Sequence, residues 1–124
     1  MISTDIQSTE TFESYQNELK QVLLNLIKNA EDVLHEREIK NAEIIIKAFS
    51  DEDHLYLEVC DNAGGVPETH IDQIFNAYFS SKSQEIGSGL GLYMSKIIIE
   101  EHCGGRLSVK NVEEGACFCI SLPK

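Results

Sequence analysis

Two pairs of short β-rich runs, each joined by a few turn-forming residues, constrain the fold of this chain more than any other feature. The runs cover residues 42–49 and 54–60 in the first pair, and residues 106–111 and 116–122 in the second. Acidic and small residues of the kind that form tight turns separate the members of each pair. Each pair therefore predicts an antiparallel hairpin.

Helical periodicity fills most of the chain between these runs. In residues 14–35 apolar side chains recur at about 3.6 residues per turn, which predicts a long amphipathic helix. The pattern also predicts a short helix over residues 69–76 and a longer one over residues 89–102. The first dozen residues fit either an edge strand or a frayed terminus. This order predicts an α/β fold, a two-layer α/β sandwich in which a mostly antiparallel sheet carries helices on one face.

Length and charge limit the class of protein. A chain of 124 residues suffices for one core, so residues 1–124 are expected to form one domain. The net charge of −11 disfavours a nucleic acid and direct contact with an anionic membrane. No apolar run reaches the roughly 20 residues of a membrane span, and the N-terminus lacks the order of a signal peptide. We therefore expect a cytoplasmic domain.

The four cysteines, Cys60, Cys103, Cys117 and Cys119, show no C-x-x-C spacing. Cys117 and Cys119 are two apart in a predicted strand and point to the same face, where a direct disulfide between them would be strained. We expect all four to be reduced core residues, and the spacing does not favour a metal site.

A polar stripe runs along the first predicted helix beside its apolar arc. Asn25, Asn29 and Asp32 lie at i, i+4 and i+7, so their side-chain oxygens converge. Asparagine is a mediocre helix former, which suggests a role other than helix stability. Oxygen ligands of this kind suit Mg²⁺ beside a nucleotide's phosphates. A solvated helix face would give the same spacing.

Asp61 directly follows the second predicted strand and precedes the loop Asn62-Ala63-Gly64-Gly65-Val66-Pro67. A carboxylate at a strand end can accept a hydrogen bond from an exocyclic amine such as that of adenine. The small residues beyond it let a flat ring approach the backbone. The alternative is that Asp61 and Asn62 only shape a turn.

A glycine-rich segment, Gly87-Ser88-Gly89-Leu90-Gly91-Leu92, opens the last predicted helix, where free backbone amides can meet an anion. Its spacing fits neither the dinucleotide fingerprint nor a P-loop. Lys82 lies in the preceding polar loop, residues 80–88, which we expect to be mobile. This lysine could reach a terminal phosphate or could simply be solvated.

Four ordered motifs combine these features. N-L-I-K-N-A, D-N-A-G-G-V-P, Y-F-S-S-K and G-S-G-L-G-L resemble the N, G1, F and G2 boxes of sensor histidine kinases, and the ending G-A-C-F-C-I-S-L-P is similar to the family's closing strand. The resemblance spans nearly the whole chain. It implies the Bergerat ATP-binding fold of the GHKL superfamily, with ATP and Mg²⁺ held between the helices and a flexible lid.

The resemblance also assigns roles by matching position. It implies that Asn29 is the Mg²⁺ ligand, that Asn25 lines the phosphates, that Asp61 binds the adenine amine and that Gly65 backs the ring. Lys82 would reach toward the γ-phosphate and, with Asn25, act in catalysis. The lid hinge and phosphate cradle would comprise Gly87, Gly89, Leu90, Gly91 and Leu92, with Phe75 and Phe79 anchoring the lid's start.

Asn25 discriminates between two reaction types. In the ATP-hydrolysing relatives, such as DNA gyrase and heat-shock chaperones, a glutamate stands at this position and orients the attacking water. An amide cannot act as a general base at neutral pH, so phosphoryl transfer is favoured over hydrolysis. Two smaller departures from the family pattern are Ala63 in place of a glycine and Ala116 in place of a common threonine.

The implied partners are a histidine-bearing dimerisation domain of the same kinase, which residues 1–124 do not contain, and a downstream response regulator. His35-Glu36-Arg37 echoes a phospho-acceptor motif but ends the first helix without the expected proline. Two alternatives stay open: a Ser/Thr protein kinase of the anti-sigma type on the same fold, and a nucleotide-binding module without transfer activity. The parent kinase could be anchored in a membrane.

Overall fold

A computed structural model describes residues 2–6, 16–76 and 91–123, with side chains from residue 17 onward. The predicted lid residues Lys82, Gly87, Gly89 and Leu90, and the predicted anchor Phe79, lie outside these ranges. In the described part of the chain, no helix combines the length and the apolar composition needed to cross a membrane.

The described strands form one five-stranded sheet in the order β1-β2-β3-β5-β4. Strand β1 runs parallel to β2, and the other neighbouring pairs are antiparallel. The mostly antiparallel sheet and both predicted hairpins, β2 with β3 and β4 with β5, are confirmed. The N-terminal residues form an edge strand. The strand bounds are β1 Ile2–Ile6, β2 Ile44–Ser50, β3 His54–Asp61, β4 Arg106–Val112 and β5 Gly115–Pro123.

Helix α1, Gln16–Glu36, is the predicted long amphipathic helix. Its buried residues recur three or four apart because these positions share one face of a helix. This face packs on the sheet through β2 and β3 and meets α3, Gly91–Ile97. The buried positions are Leu19, Val22, Leu26, Ala30 and Leu34.

The other two predicted helices differ from expectation. Only Glu68–Ile71 is helical (α2), and hydrogen-bonded turns follow, in which the amide of Gln73 and that of Ile74 both donate to the His70 carbonyl. Helix α3 ends at Ile97 and continues as a π-helical segment over Ile98–His102, where the Cys103 amide bonds the Ile98 carbonyl five residues back. Apolar spacing predicts that these segments are helical, but it does not predict which hydrogen bonds form in their last turns.

Alternation along the strands separates the two faces of the sheet. On β3, Leu55 and Val59 face the helices and join the core, whereas Glu58 and Cys60 point to the opposite face. The helices therefore cover one face, as predicted, because α1, α3 and the π-helical segment contact one another on that side.

The expectation that all four cysteines are reduced is wrong for two of them. Cys60 and Cys117 stand directly opposite each other on β3 and β5, with their Cα atoms 4.0 Å apart, and form a disulfide. The residue spacing of 57 hides this pairing, since only the strand register brings the two together. Cys103 and Cys119 are free thiols. Burial, followed by the charge of Glu58, raises the pKa of Cys119 to about 11.

Candidate functional site

Asp61 ends β3 on the helix-covered face, opposite the buried Ile44 of β2. Its carboxylate accepts a hydrogen bond from the Ala63 amide at 3.0 Å and another from the Ala116 amide. Burial raises the pKa of Asp61 above its ordinary value of 3.8, and these two hydrogen bonds and the charge of Arg37 oppose the rise. Asp61 is therefore a fixed, partly desolvated acceptor with lone pairs remaining for a ligand.

The two departures from the family pattern meet at this carboxylate. Ala63 and Ala116 are both buried, and each offers its backbone amide to Asp61. A backbone donor does not depend on the side chain it belongs to, so these alanines retain the amides that hold Asp61 in place.

Asn62 connects the beginning of the loop to the residues that directly precede β2. Its side-chain oxygen accepts from the Glu43 amide at 2.9 Å, and its nitrogen donates to the Asn41 carbonyl at 2.7 Å. Asp61 and Asn62 both shape this turn, as the sequence offered as an alternative, since Asp61 accepts from the amide two residues on; consecutive strand residues point to opposite faces of the sheet. This leaves the Asp61 carboxylate on the covered side.

Two side chains that the sequence did not single out hold the rest of the loop. Arg37, just beyond α1, donates through Nη1 to the carbonyls of Ala63 and Gly65, the latter at 2.9 Å. Asn111 on β4 accepts from the Val66 amide at 2.7 Å and donates to the Val66 carbonyl at 2.8 Å. We call Arg37 and Asn111 the loop clamp. Arg37 lies in the stretch that resembles a phospho-acceptor motif. The sequence feature that could have suggested its role is a cation placed directly after a helix.

Two glycines allow this close packing. Gly65 has a φ of 87°, and a Cβ there would lie 2.8 Å from the Asn111 side-chain oxygen. At Gly115, a Cβ would lie 1.8 Å from the Asp61 carbonyl oxygen, so the hairpin between β4 and β5 touches the backbone at the site directly. The sequence predicted a site role for Gly65 and only a turn for Gly115.

The polar stripe of α1 lies at the junction with α3. Asn25, half-buried, donates through its amide nitrogen to the hydroxyl of Ser95 at 3.3 Å, and Ser95 is fully buried. Asn29 lies one turn further on and is also half-exposed. Within the described residues the Asn29 amide makes no hydrogen bond, so its oxygen can serve as a ligand atom. Asp32 pairs with Lys28 at 3.7 Å instead.

Two described residues of the glycine-rich segment begin α3. Gly91 is its exposed first residue, and Leu92 packs against the core. Beyond α2, Phe75 meets Phe118 edge-on with ring centroids 6.1 Å apart, and its role as an anchor of the lid stays a prediction. The contribution of the remaining lid residues stays a prediction.

A separate groove of about 580 Å³ lies between the α2 region, α3 and β4. Phe75, Lys96 and Arg106 are among its lining residues, whereas Asn29 and Asp61 are not. The Lys96 ammonium sits 4.9 Å from the centre of the Phe75 ring and donates to Glu100 at 3.0 Å. The positive charge of Lys96 is thus already balanced by Glu100.

Comparison with known proteins agrees with this arrangement. The profile of the family described as histidine kinase-, DNA gyrase B- and HSP90-like ATPase matches residues 14–124. Fold and site thus define an ATPase-type domain of this class. The chain belongs to this family.

Individual relatives narrow the likeness to sensor kinases. Sporulation kinase E of Bacillus subtilis is 36% identical over 86% of this chain and 14% of its own length. Sensor histidine kinase ZraS of Salmonella typhi is 35% identical over 99% of this chain and 28% of its own length. The chain thus spans less than a third of these relatives. A solved catalytic domain of histidine kinase ThkA is 29% identical with a TM-score of 0.80, covering 99% of this chain and 78% of that one.

Proposed function

We propose that this chain binds Mg-ATP and is the phosphoryl-donor domain of a sensor histidine kinase. It would transfer the γ-phosphate to a histidine on a separate dimerisation domain, from which a response regulator receives it. The observation that carries the proposal is the half-buried Asp61 carboxylate, held by two backbone amides beside a loop that the clamp residues fix. Family membership supports the same activity.

Asp61 is suited to adenine because of its acceptor character. Its carboxylate already uses part of its capacity on Ala63 and Ala116, and the remaining lone pairs can accept from an exocyclic amine. A guanine ring presents a carbonyl at the corresponding position and would repel the carboxylate. The missing side chain of Gly65 leaves room for Asn111, which fixes the loop that would lie behind the ring.

The donor set fits Mg²⁺. Asn29 provides an uncharged oxygen, and a hard cation that keeps several waters needs few protein ligands beside the phosphates. Bound Mg²⁺ would neutralise charge on the phosphate oxygens. Lys82 and the glycine-rich segment, Gly87, Gly89, Leu90, Gly91 and Leu92, complete the proposed phosphate cradle.

Asn25 favours transfer over hydrolysis. Its nitrogen donates to Ser95, and its carbonyl oxygen would then be the group offered to the phosphates. An amide cannot take a proton from water at neutral pH. Asn25 would therefore help to position the phosphates and would not activate a water molecule. A histidine side chain brought by a second domain needs no such base.

Labelled ATP separates the possible activities. The chain is incubated with Mg-ATP and a separately prepared histidine-bearing helical hairpin from a sensor kinase. Acid-labile label on the hairpin supports the proposal. Acid-stable label on serine would instead indicate an anti-sigma type kinase, and ATP binding without any transfer would indicate a binding module.

The metal ligand is tested by a matched pair of asparagines on α1. Asn29→Ala should weaken Mg-ATP binding by at least about tenfold, whereas Asn17→Ala, at an exposed position of the same helix, should not. Asn29→Asp should also weaken it. Titration calorimetry showing equal Mg-ATP affinity for the wild type and the two Asn29 variants would refute the assignment.

A further inference from the structure

Four side chains of types that can bind metals project together from the sheet face opposite the described helices, and three of them, Glu58, Cys60 and Cys117, are buried. Glu58 and Cys60 are two residues apart on β3, and Cys119 and Cys117 stand opposite them on β5. Residues two apart on a strand share a face, so the strand register places all four in one square. No spacing along the sequence indicates this cluster, which we call the thiol cluster.

Three donor atoms of this cluster are close enough to share one ion. The Glu58 carboxylate and the sulfurs of Cys60 and Cys117 all lie within 4.8 Å of one another. Cys119 stands directly opposite Glu58 in the strand register, so a third sulfur lies next to this group of three. A tetrahedral zinc ion holds sulfur at about 2.3 Å, so its ligand atoms lie about 3.8 Å apart. Binding would need the two bonded sulfurs to separate after reduction and the Cys119 side chain to turn toward them.

We propose that the thiol cluster binds one Zn²⁺ once the Cys60–Cys117 disulfide is reduced. Sulfur ligands select Zn²⁺ over Mg²⁺, so this site is chemically distinct from the proposed nucleotide site. It also lies on the other face of the sheet from Asp61. The net charge of −11 favours a cation, and binding would replace the ion pair that Lys110, whose side chain is 61% exposed, makes with Glu58 at 3.6 Å.

A dithiol can serve as the reductant of the Cys60–Cys117 disulfide. The dithiol transfers two electrons to the Cys60–Cys117 bond and itself becomes a disulfide, leaving two protonated cysteine thiols. Zn²⁺ then displaces one proton from each thiol that it binds, and the Glu58 carboxylate supplies the remaining ligand. A disulfide oxidant could take two electrons from the two cysteines, itself becoming a dithiol, and re-formation of the Cys60–Cys117 bond would release the ion.

The test uses the intact chain, reduced with a phosphine and desalted without oxygen. Zinc affinity is measured by competition with a chromophoric chelator, and Co²⁺ replaces Zn²⁺ to give a spectrum. The reduced chain should bind one ion and show thiolate-to-cobalt charge transfer, whereas the oxidised chain should bind at least about tenfold more weakly. Equal affinity of the two forms, or a cobalt spectrum without thiolate bands, overturns the proposal.

Variants identify the ligands. Cys119→Ser and Glu58→Gln should each weaken zinc binding by at least about tenfold. Cys103→Ser removes a buried thiol outside the thiol cluster and should leave affinity unchanged. Equal affinities in all three contradict the site, and thermal unfolding of each shows that it folds. The Mg-ATP titration is separate, so failure of zinc binding leaves the proposed function standing.

Discussion

The loop clamp predicts a measurable link between Arg37 and the nucleotide site. Arg37→Ala removes two hydrogen bonds from a charged donor, to the carbonyls of Ala63 and Gly65. Because the side chain is exposed, we assign each hydrogen bond about 1 kcal/mol. Together the two bonds contribute about 2 kcal/mol to the free energy of opening the loop. Since about 1.4 kcal/mol is a factor of ten, the loop should open up to about 30-fold more often.

Amide hydrogen exchange measures this opening. The Gly64 amide, bonded to the Glu114 carbonyl, and the Val66 amide, bonded to Asn111, report on the loop. Their exchange should accelerate by up to about 30-fold in Arg37→Ala, and ATP affinity should fall in the same direction, within that limit. Arg106→Ala, at the opposite end of β4, is the matched control. Unchanged exchange in Arg37→Ala, or equal acceleration in the control, would refute the clamp.

Three further predictions concern stability. Leu26→Ala, in the fully buried core, should cost about 2 to 5 kcal/mol of unfolding free energy by denaturant titration, whereas Leu24→Ala, 61% exposed on the same helix, should cost less than about 0.5 kcal/mol. Gly115→Ala should lower stability by about 1 to 3 kcal/mol because its Cβ meets the Asp61 carbonyl, while the neighbouring Glu114→Ala should not; equal melting temperatures would contradict this. Burial raises the pKa of Asp61, so ionisation of this carboxyl destabilises the folded state. The unfolding free energy of the wild type relative to that of Asp61→Asn should therefore fall as pH rises above 3.8 through the pKa of the folded state. A difference that does not change across that pH range would show the reasoning to be wrong.

The sequence predicted most of the fold because its signals are local. Hairpins follow from β-rich runs around turns, and the buried face of α1 follows from apolar spacing. The edge strand β1 could not be decided, since its partner β2 lies about forty residues away. The π-helical closure after Ile97 depends on packing, which periodicity does not contain.

The site was predicted in part for the same reason. Asn29 and Asp61 stand within motifs, so their order along the chain suggests them as site residues, and their roles stay predictions. Arg37 and Asn111 act through contacts 28 and 45 residues away, which no motif reveals. The pairing of Cys60 with Cys117 depends likewise on strand register, and the expectation of four reduced thiols was therefore wrong.

The central claim is that Asn29 and Asp61 belong to one Mg-ATP site, and nuclear magnetic resonance titration of the chain tests it most directly. Addition of Mg-ATP should shift the amides of Ala63 and Gly65 and the side-chain amide of Asn29, whose shift should need Mg²⁺. GTP should produce much weaker changes. Shifts confined instead to the groove lined by Phe75, Lys96 and Arg106 would contradict the account.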